Sequence, residues 1–186
     1  MDISFLIVIA VIVALVLVLI WHTYNRLVSL RNKVRTAWSD VDVQLTYRHD
    51  LVPNLVESVK GYAGHERGVL ESVAQARNAA MNAGADIAAR AVAEMALGGA
   101  VGNLFGVVER YPDLKASQNF ALLHEQLTTT ENRIAFARQH YNETVRQYNT
   151  KIAEFPWNLM AGIFGYAPEK MFAAGTTDGQ TPQTQF

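Results

Sequence analysis

The chain opens with an unbroken apolar run from Ile3 to Trp21. Of its 19 residues, 18 are apolar, Ser4 being the exception, and none is charged. At a rise of 1.5 Å per residue a helix of this length covers about 28 Å, close to the hydrocarbon thickness of a bilayer. No basic residue precedes the run and no small-residue cleavage site follows it, which argues against a removed signal peptide. We therefore expect residues 1–25 to form an uncleaved transmembrane anchor.

Beyond the anchor, apolar residues recur every three or four positions, the spacing of one buried helix face. A first series leads straight out of the anchor and comprises Leu27, Leu30, Val34, Ala37, Trp38, Val41 and Leu45. Pro53 either starts a fresh turn or kinks this helix, because proline lacks a backbone donor and clashes one turn back. A second helical segment opens at His65 and carries Val69, Leu70, Val73, Ala76 and Ala80.

The longest helical series follows the turn at Tyr111, Pro112 and Asp113. It comprises Phe120, Leu123, Leu127, Thr130, Ile134, Ala137, Tyr141, Val145, Tyr148 and Ile152. Alternating strand patterns do not compete with it. The pattern predicts an all-α fold, in which the transmembrane helix continues into an antiparallel bundle of up to four long helices over residues 26–154.

The bundle geometry makes a prediction about the C-terminal part. Residues 26–62 and 114–152 are similar in length, so the chain should return close to Arg26 at the membrane surface. The next stretch, residues 155–168, has no charge and four aromatic residues. It either lies in the membrane interface or caps the open end of the bundle core. We expect residues 155–172 to be a membrane-proximal segment and residues 173–186, rich in Gly, Thr, Gln and Pro, to be disordered.

The flanks of the apolar run predict its orientation. Only Asp2 precedes it, whereas Arg26, Arg31, Lys33 and Arg35 follow it before any acidic residue. The positive-inside rule then leaves the N-terminus outside and the bulk of the chain in the cytoplasm. The residues predicted to lie in the membrane interface are Trp21, Tyr24, Arg26, Phe155, Trp157, Phe164 and Tyr166.

Composition narrows the classes of partner. The net charge of the whole chain is −1, and without residues 1–21 it is zero, with 16 basic and 16 acidic residues. A neutral domain without basic blocks argues against nucleic acid as a ligand. The chain has no cysteine, which excludes disulfides, thiolate zinc sites and cysteine nucleophiles.

The polar residues suggest no enzymatic chemistry. Zinc proteases place two histidines four apart around a glutamate. Here His65 is followed four residues later by Val69, and His124 by Thr128. No nucleophile elbow or phosphate-binding glycine loop occurs. We expect no catalytic residue, no cofactor, no metal and no enzyme activity.

A set of polar residues beside apolar or aromatic neighbours forms a second group of candidates. Polar residues in a helix seam fix register, and Tyr and Asn also suit adaptable partner contacts. Both roles stay open for Asp50, Asn54, Asn119, Asn132, Tyr141, Asn142, Tyr148 and Asn149. Arg48 and Asp50 are expected to form a buried polar network beside Pro53.

Three glycines recur at four-residue spacing in the alanine-rich region: Gly98, Gly102 and Gly106. Such a row permits close helix packing, either within this chain or with another copy. The pair at 98 and 99 is equally consistent with a break in the helix.

Several separated blocks resemble the LemA family. They are residues 48–63 (RHDLVPNLVESVKGYA), 109–116 (ERYPDLKA) and 131–138 (ENRIAFAR), with YNRLV at 24–28 as the juxtamembrane start. The resemblance covers most of residues 1–172 and is weakest over 83–106. It implies a bacterial inner-membrane protein with one N-terminal span and a bundle of long helices.

The resemblance also implies a partner, because family members are associated with a membrane zinc metalloprotease of the heat-shock type. The leading hypothesis is a non-enzymatic, membrane-tethered adaptor or scaffold in membrane protein quality control. The alternative is a structural protein that assembles into a homo-oligomeric ring or lattice on the membrane.

Overall fold

The structure, a computed structural model, describes residues 3–172 and contains six helices and no strand in that range. The helices are α1 (Ile3–Lys60), α2 (Arg67–Met81), α3 (Ile87–Val108), α4 (Pro112–Lys115), α5 (Gln118–Ala153) and α6 (Trp157–Phe164). The prediction of an all-α fold with a long N-terminal apolar helix is confirmed. The tail that we expected to be disordered, residues 173–186, lies outside the described residues.

The described chain folds into two compact units. The four ranges expected from the sequence stay a prediction. Unit 1 combines residues 3–39 with residues 140–170, and unit 2 combines residues 40–139 with residues 171–172. Both α1 and α5 contribute to each unit, and they run antiparallel in each. In unit 2, for example, Arg48 of α1 reaches Glu131 of α5.

The predicted apolar series of α1 and α5 provide the buried side chains of both units. In unit 1 the buried residues include Leu27, Leu30, Val34 and Ala37 from α1 and Tyr141, Val145, Tyr148 and Ile152 from α5. In unit 2, α2 and α3 pack on the same pair, and the core includes Val52, Leu55, Val59, Val73, Leu97, Leu104, Leu114 and Leu127. Each fully buried leucine or valine contributes about 1.5–3 kcal/mol.

Helix α1 passes through Pro53 without ending, so the proline does not start a fresh turn. A proline at this position leaves the carbonyl of His49, one turn back, without its helical donor. Arg77 of α2 supplies the missing hydrogen bond, since its Nε donates to that carbonyl oxygen at 2.7 Å. The proline therefore creates an attachment point for α2.

Within residues 3–172, two helices are long and apolar enough to cross a membrane, by length and composition. In α1 the most apolar stretch has no buried part, whereas in α3 44% of the corresponding stretch is buried. Helix α3 also runs without interruption through Gly98 and Gly99, so the glycine pair does not break it. Partial burial identifies α3 as a core helix of unit 2. The lack of burial in the apolar stretch of α1 identifies α1 as the candidate span.

Candidate functional site

A cluster of buried charged residues ties three helices of unit 2 together. Arg48 of α1 donates to Glu131 of α5 at 2.6 Å and to the carboxylate of Glu94 of α3. His49 Nε2 lies 2.9 Å from Glu94 Oε1. Arg48, His49 and Glu94 are at most 6% exposed. Because the Arg48 guanidinium bridges two carboxylates on different helices, the cluster fixes the register of α1, α3 and α5.

The environment of Glu94 keeps it ionised. Burial by itself would raise the pKa of Glu94, but the hydrogen bonds and charges of His49 and Arg48 outweigh burial and hold that pKa below its ordinary value of 4.5. An ionised carboxylate held in the interior by an arginine is a structural group. The cluster contains no nucleophile.

The depressed pKa of Glu94 predicts a loss of stability in acid. Because the folded-state pKa lies below the unfolded value of 4.5, the cluster's contribution is fully present above about pH 4.5 and disappears as the pH falls through the folded pKa. Below that pH we expect a lower urea midpoint for the full-length protein in mild detergent, with unfolding followed by circular dichroism. Glu94→Gln should flatten this dependence, whereas Glu57→Gln, at an exposed site on α1, should leave it unchanged. Equal pH dependence in Glu94→Gln and the unmodified chain would contradict the assignment.

The structure corrects the predicted network beside Pro53. Arg48 is buried in the cluster, as expected. Asp50 is exposed, and the residue that joins Arg48 in the cluster is His49. Asn54, Asn119 and Asn132 are also exposed, so they do not lie in a helix seam. For these four residues a role in partner binding stays a prediction.

The paired Tyr and Asn residues of α5 bind a segment of the same chain. The Tyr141 hydroxyl donates to the carbonyl of Lys170 at 2.8 Å, and the Tyr148 hydroxyl donates to that of Ala167 at 3.0 Å. Asn149 exchanges two hydrogen bonds of 2.9 Å with the backbone of Glu169. We call residues 166–170 the C-terminal strap. Asn142, half-buried on the same helix, was predicted with this group.

The two strap-binding tyrosines are held in the protonated form that this arrangement needs. Burial, followed by the nearby charge of Glu169, raises the pKa of Tyr141 to about 12, and the same two causes raise the pKa of Tyr148. Their phenols therefore remain donors at physiological pH. The seven-residue spacing of Tyr141 and Tyr148 places them on one side of α5, but it does not indicate that the strap lies there.

The residues predicted for the membrane interface lie in unit 1, at or just after the end of the apolar run of α1 and in the chain around α6. Trp21 is 68% exposed and Phe155 is 78% exposed, and Arg26 is exposed as well. Tyr24 stacks on Phe164 with ring centroids 5.0 Å apart. Two members are half-buried. Trp157 lies 6.3 Å from His22 and under the Lys151 ammonium, and Tyr166 lies under the Arg31 guanidinium. Their contact with lipid remains a prediction.

The glycine row has little packing against this chain. A side chain added at Gly98 would meet Arg48 at 3.7 Å, whereas at Gly102 and Gly106 nothing lies within 4 Å. Close packing against residues 3–172 is therefore absent at the latter two positions. Packing against another copy stays a prediction.

Unit 1 has a polar groove of about 790 Å³ between α1 and α5. Its titratable residues are Lys33, His140 and Glu143. Hydrogen bonds from Arg146, and then from Gln147, lower the pKa of Glu143 to about 2. A carboxylate with so low a pKa is a weak base and has no proton to donate near neutral pH, so Glu143 is unsuited to general acid or base catalysis.

Two of the histidines pack against side chains of other helices in unit 2. Among residues 3–172 no group of three or more His, Asp or Glu side chains is arranged to hold a metal ion. His124 packs against Phe105 at 4.6 Å, and His49 pairs with Glu94. Neither arrangement resembles a metal centre.

Unit 2 also exposes apolar side chains that the helical pattern did not single out. Along α1 and α5, Val43, Tyr47, Leu122 and Phe136 are 62%, 41%, 55% and 72% exposed. Two shallow grooves beside them share Arg133. We call this surface the outer α1–α5 face. In the sequence, these four residues could have been recognised only as a second, weaker apolar stripe on α1 and α5.

These features define a class: an all-α, membrane-associated helical protein with an apolar N-terminal helix and buried residues devoted to structure. The LemA family model matches residues 37–186, and the chain belongs to the LemA family.

Individual relatives agree with this family assignment. The chain is 28% identical to magnetosome protein MamQ 2 of Paramagnetospirillum magneticum, over 86% of this chain and 69% of the relative. It is 26% identical to magnetosome protein MamQ of Magnetospirillum gryphiswaldense over the same shares. Protein LemA of Metamycoplasma hominis is 26% identical, over 74% of this chain and 63% of the relative. None of these names denotes an enzyme.

Proposed function

We propose that the chain is a non-enzymatic adaptor, anchored in the bacterial inner membrane by one span, with its N-terminus outside and its bulk in the cytoplasm. The exposed apolar stretch of α1 supports the anchor, and the basic residues that follow it support the orientation. Tethering raises the local concentration of the adaptor near other membrane proteins. The expected partner is a membrane zinc metalloprotease, in keeping with the family's association.

The observation that carries the adaptor role is the outer α1–α5 face. Exposed apolar side chains gathered beside grooves mark interaction sites on soluble domains. Val43 and Phe136 line one groove together with Asp40 and Arg133, so the face offers both apolar contacts and charges of either sign. An amphipathic helix of a partner protein matches this combination.

A crosslinking experiment in membranes tests the adaptor proposal. The chain has no cysteine, so Phe136→Cys carries a photoactivatable crosslinker at a single position. We expect it to capture a membrane protein that His65→Cys, at an exposed position of unit 2 away from this face, does not capture. Identical capture at both positions, or capture at neither, would overturn the proposal.

The alternative function is self-assembly into a ring or lattice. The open space beside Gly102 and Gly106 favours it, together with Val92, which is 64% exposed on the same helix. Glycines without neighbours in their own chain allow the backbone of another copy to approach. The molar mass of the full-length protein in detergent tests this alternative, and a monomer at all concentrations would reject it.

A further inference from the structure

The inner side of α6 is occupied by contacts with α1 within unit 1. Trp157 faces His22, and Phe164 stacks on Tyr24. Ala161, between them on the same side, is 4% exposed. Gly165 ends the helix with a left-handed conformation (φ of 69°), which lets Tyr166 N donate to Ala161 O and turns the chain into the strap.

The opposite side of α6 is apolar as well, although nothing in unit 1 covers it. Leu159 and Ile163 follow one another at four-residue spacing on α6, and Phe155 lies two residues before the helix begins. Leu159, Ile163 and Phe155 are 54%, 70% and 78% exposed. We call these three residues the outer apolar row. Residues 155–168 contain no charged side chain. Because the transfer of apolar surface out of water is favourable, the row favours an apolar environment.

The position of α6 along α1 shows which apolar environment is at hand. Its contacts with α1 fall at His22 and Tyr24, immediately after the run Ile3–Trp21 ends. The apolar surface of that run is uncovered in unit 1, and so is the outer apolar row beside its end. The two uncovered surfaces therefore adjoin each other. When the run spans a bilayer, α6 lies at the boundary between hydrocarbon and headgroups.

We propose that α6 is an interfacial lipid-binding helix and that its outer apolar row inserts into the bilayer surface. The inference rests on the membrane anchor of the proposed function and not on the adaptor role. It also reassigns the contacting side chains. Leu159 and Ile163 meet lipid, whereas Trp157 and Tyr166, which the sequence had favoured, serve to fix α6 and the strap to the rest of unit 1. Unit 1 thereby gains a second membrane contact, which restricts its rotation about the span.

A depth measurement tests the proposal on the full-length protein in vesicles of phosphatidylcholine and phosphatidylglycerol. Ile163→Cys carries a polarity-sensitive fluorophore, as do two matched variants, Asn158→Cys on another side of α6 and Ser39→Cys at an exposed position of α1. We expect nitroxide-labelled lipid to quench the probe at 163 several-fold more than the probe at 39, and aqueous iodide to quench them in the reverse order. The probe at 158 should fall between them.

Each other outcome overturns the proposal. Iodide quenching at 163 as strong as at 39 places the row in water. Quenching by neither agent means that protein covers the row, either a second copy or a partner. A fourth probe, Val13→Cys, keeps the anchor separate: lipid quenching at 13 without lipid quenching at 163 rejects the interfacial helix and leaves the anchor intact. The adaptor proposal is judged independently, by the crosslinks from position 136.

Discussion

Replacing Arg48 with methionine is expected to lower the free energy of unfolding of unit 2 by about 3–5 kcal/mol, the range for removing one partner of a buried ion pair. The substitution keeps most of the side-chain volume and removes the charge that engages Glu94 and Glu131. Glu94, 3% exposed, is then left in the interior beside the imidazole of His49, whose Nε2 lies 2.9 Å from Glu94 Oε1. Urea unfolding of the full-length protein in mild detergent, followed by circular dichroism, measures the change.

Two further variants separate the buried pair from a general effect of losing a charge. Lys60→Met makes the same kind of replacement at an exposed ion pair of α1, where solvent screens the interaction, and should change stability little. The double variant Arg48→Met with Glu94→Gln removes both buried charges and should recover most of the loss. A small effect of Arg48→Met alone would show that the cluster does not hold the three helices in register.

Shortening Leu97 to alanine is expected to lower the free energy of unfolding by about 2–5 kcal/mol, because the side chain is fully buried and its removal leaves a cavity. The result bears on topology, since α3 is long and apolar enough to cross a membrane. A core helix loses stability against urea when Leu97 is truncated, whereas a helix surrounded by lipid has no such dependence on the core of unit 2.

Val92→Ala provides the matched control for this prediction. Val92 lies on the same helix and is 64% exposed, so its truncation should change the urea midpoint little. Equal effects of the two substitutions, or none from Leu97→Ala, would contradict the placement of α3 in the core. That outcome would also reopen the prediction of a single membrane span.

The spacing of apolar residues was sufficient to predict α1, α2 and α5 and most of the core. Leu45, Leu127 and Ile152 are buried because a period of about 3.6 residues puts them on one helix face, a property visible without knowledge of any neighbour. The prediction from apolar spacing was weakest over residues 83–106. So many alanines and glycines blur the apolar face there that α3 became clear only from its packing in unit 2.

The candidate site was less predictable because its contacts join residues far apart in the chain. Arg48 and Glu94 lie 46 positions apart, and Arg77 reaches the His49 carbonyl over 28. Such pairs depend on the register between helices, which periodicity does not specify. A signal was present at Pro53, since its missing donor requires a substitute partner for the carbonyl of residue 49, but the identity of that partner was not encoded locally.

The assembly of unit 1 from two separate parts of the chain has a consequence for the order in which the units fold during synthesis. Unit 1 is assembled from residues 3–39 and 140–170, whereas the main part of unit 2 is one continuous stretch, residues 40–139. The ribosome therefore releases all of that stretch before the second half of unit 1 exists. The first 39 residues must wait in or beside the bilayer, with Leu27, Leu30 and Val34 uncovered, until the last part of the described chain emerges. That interval is when a nascent chain of this protein most needs protection from aggregation.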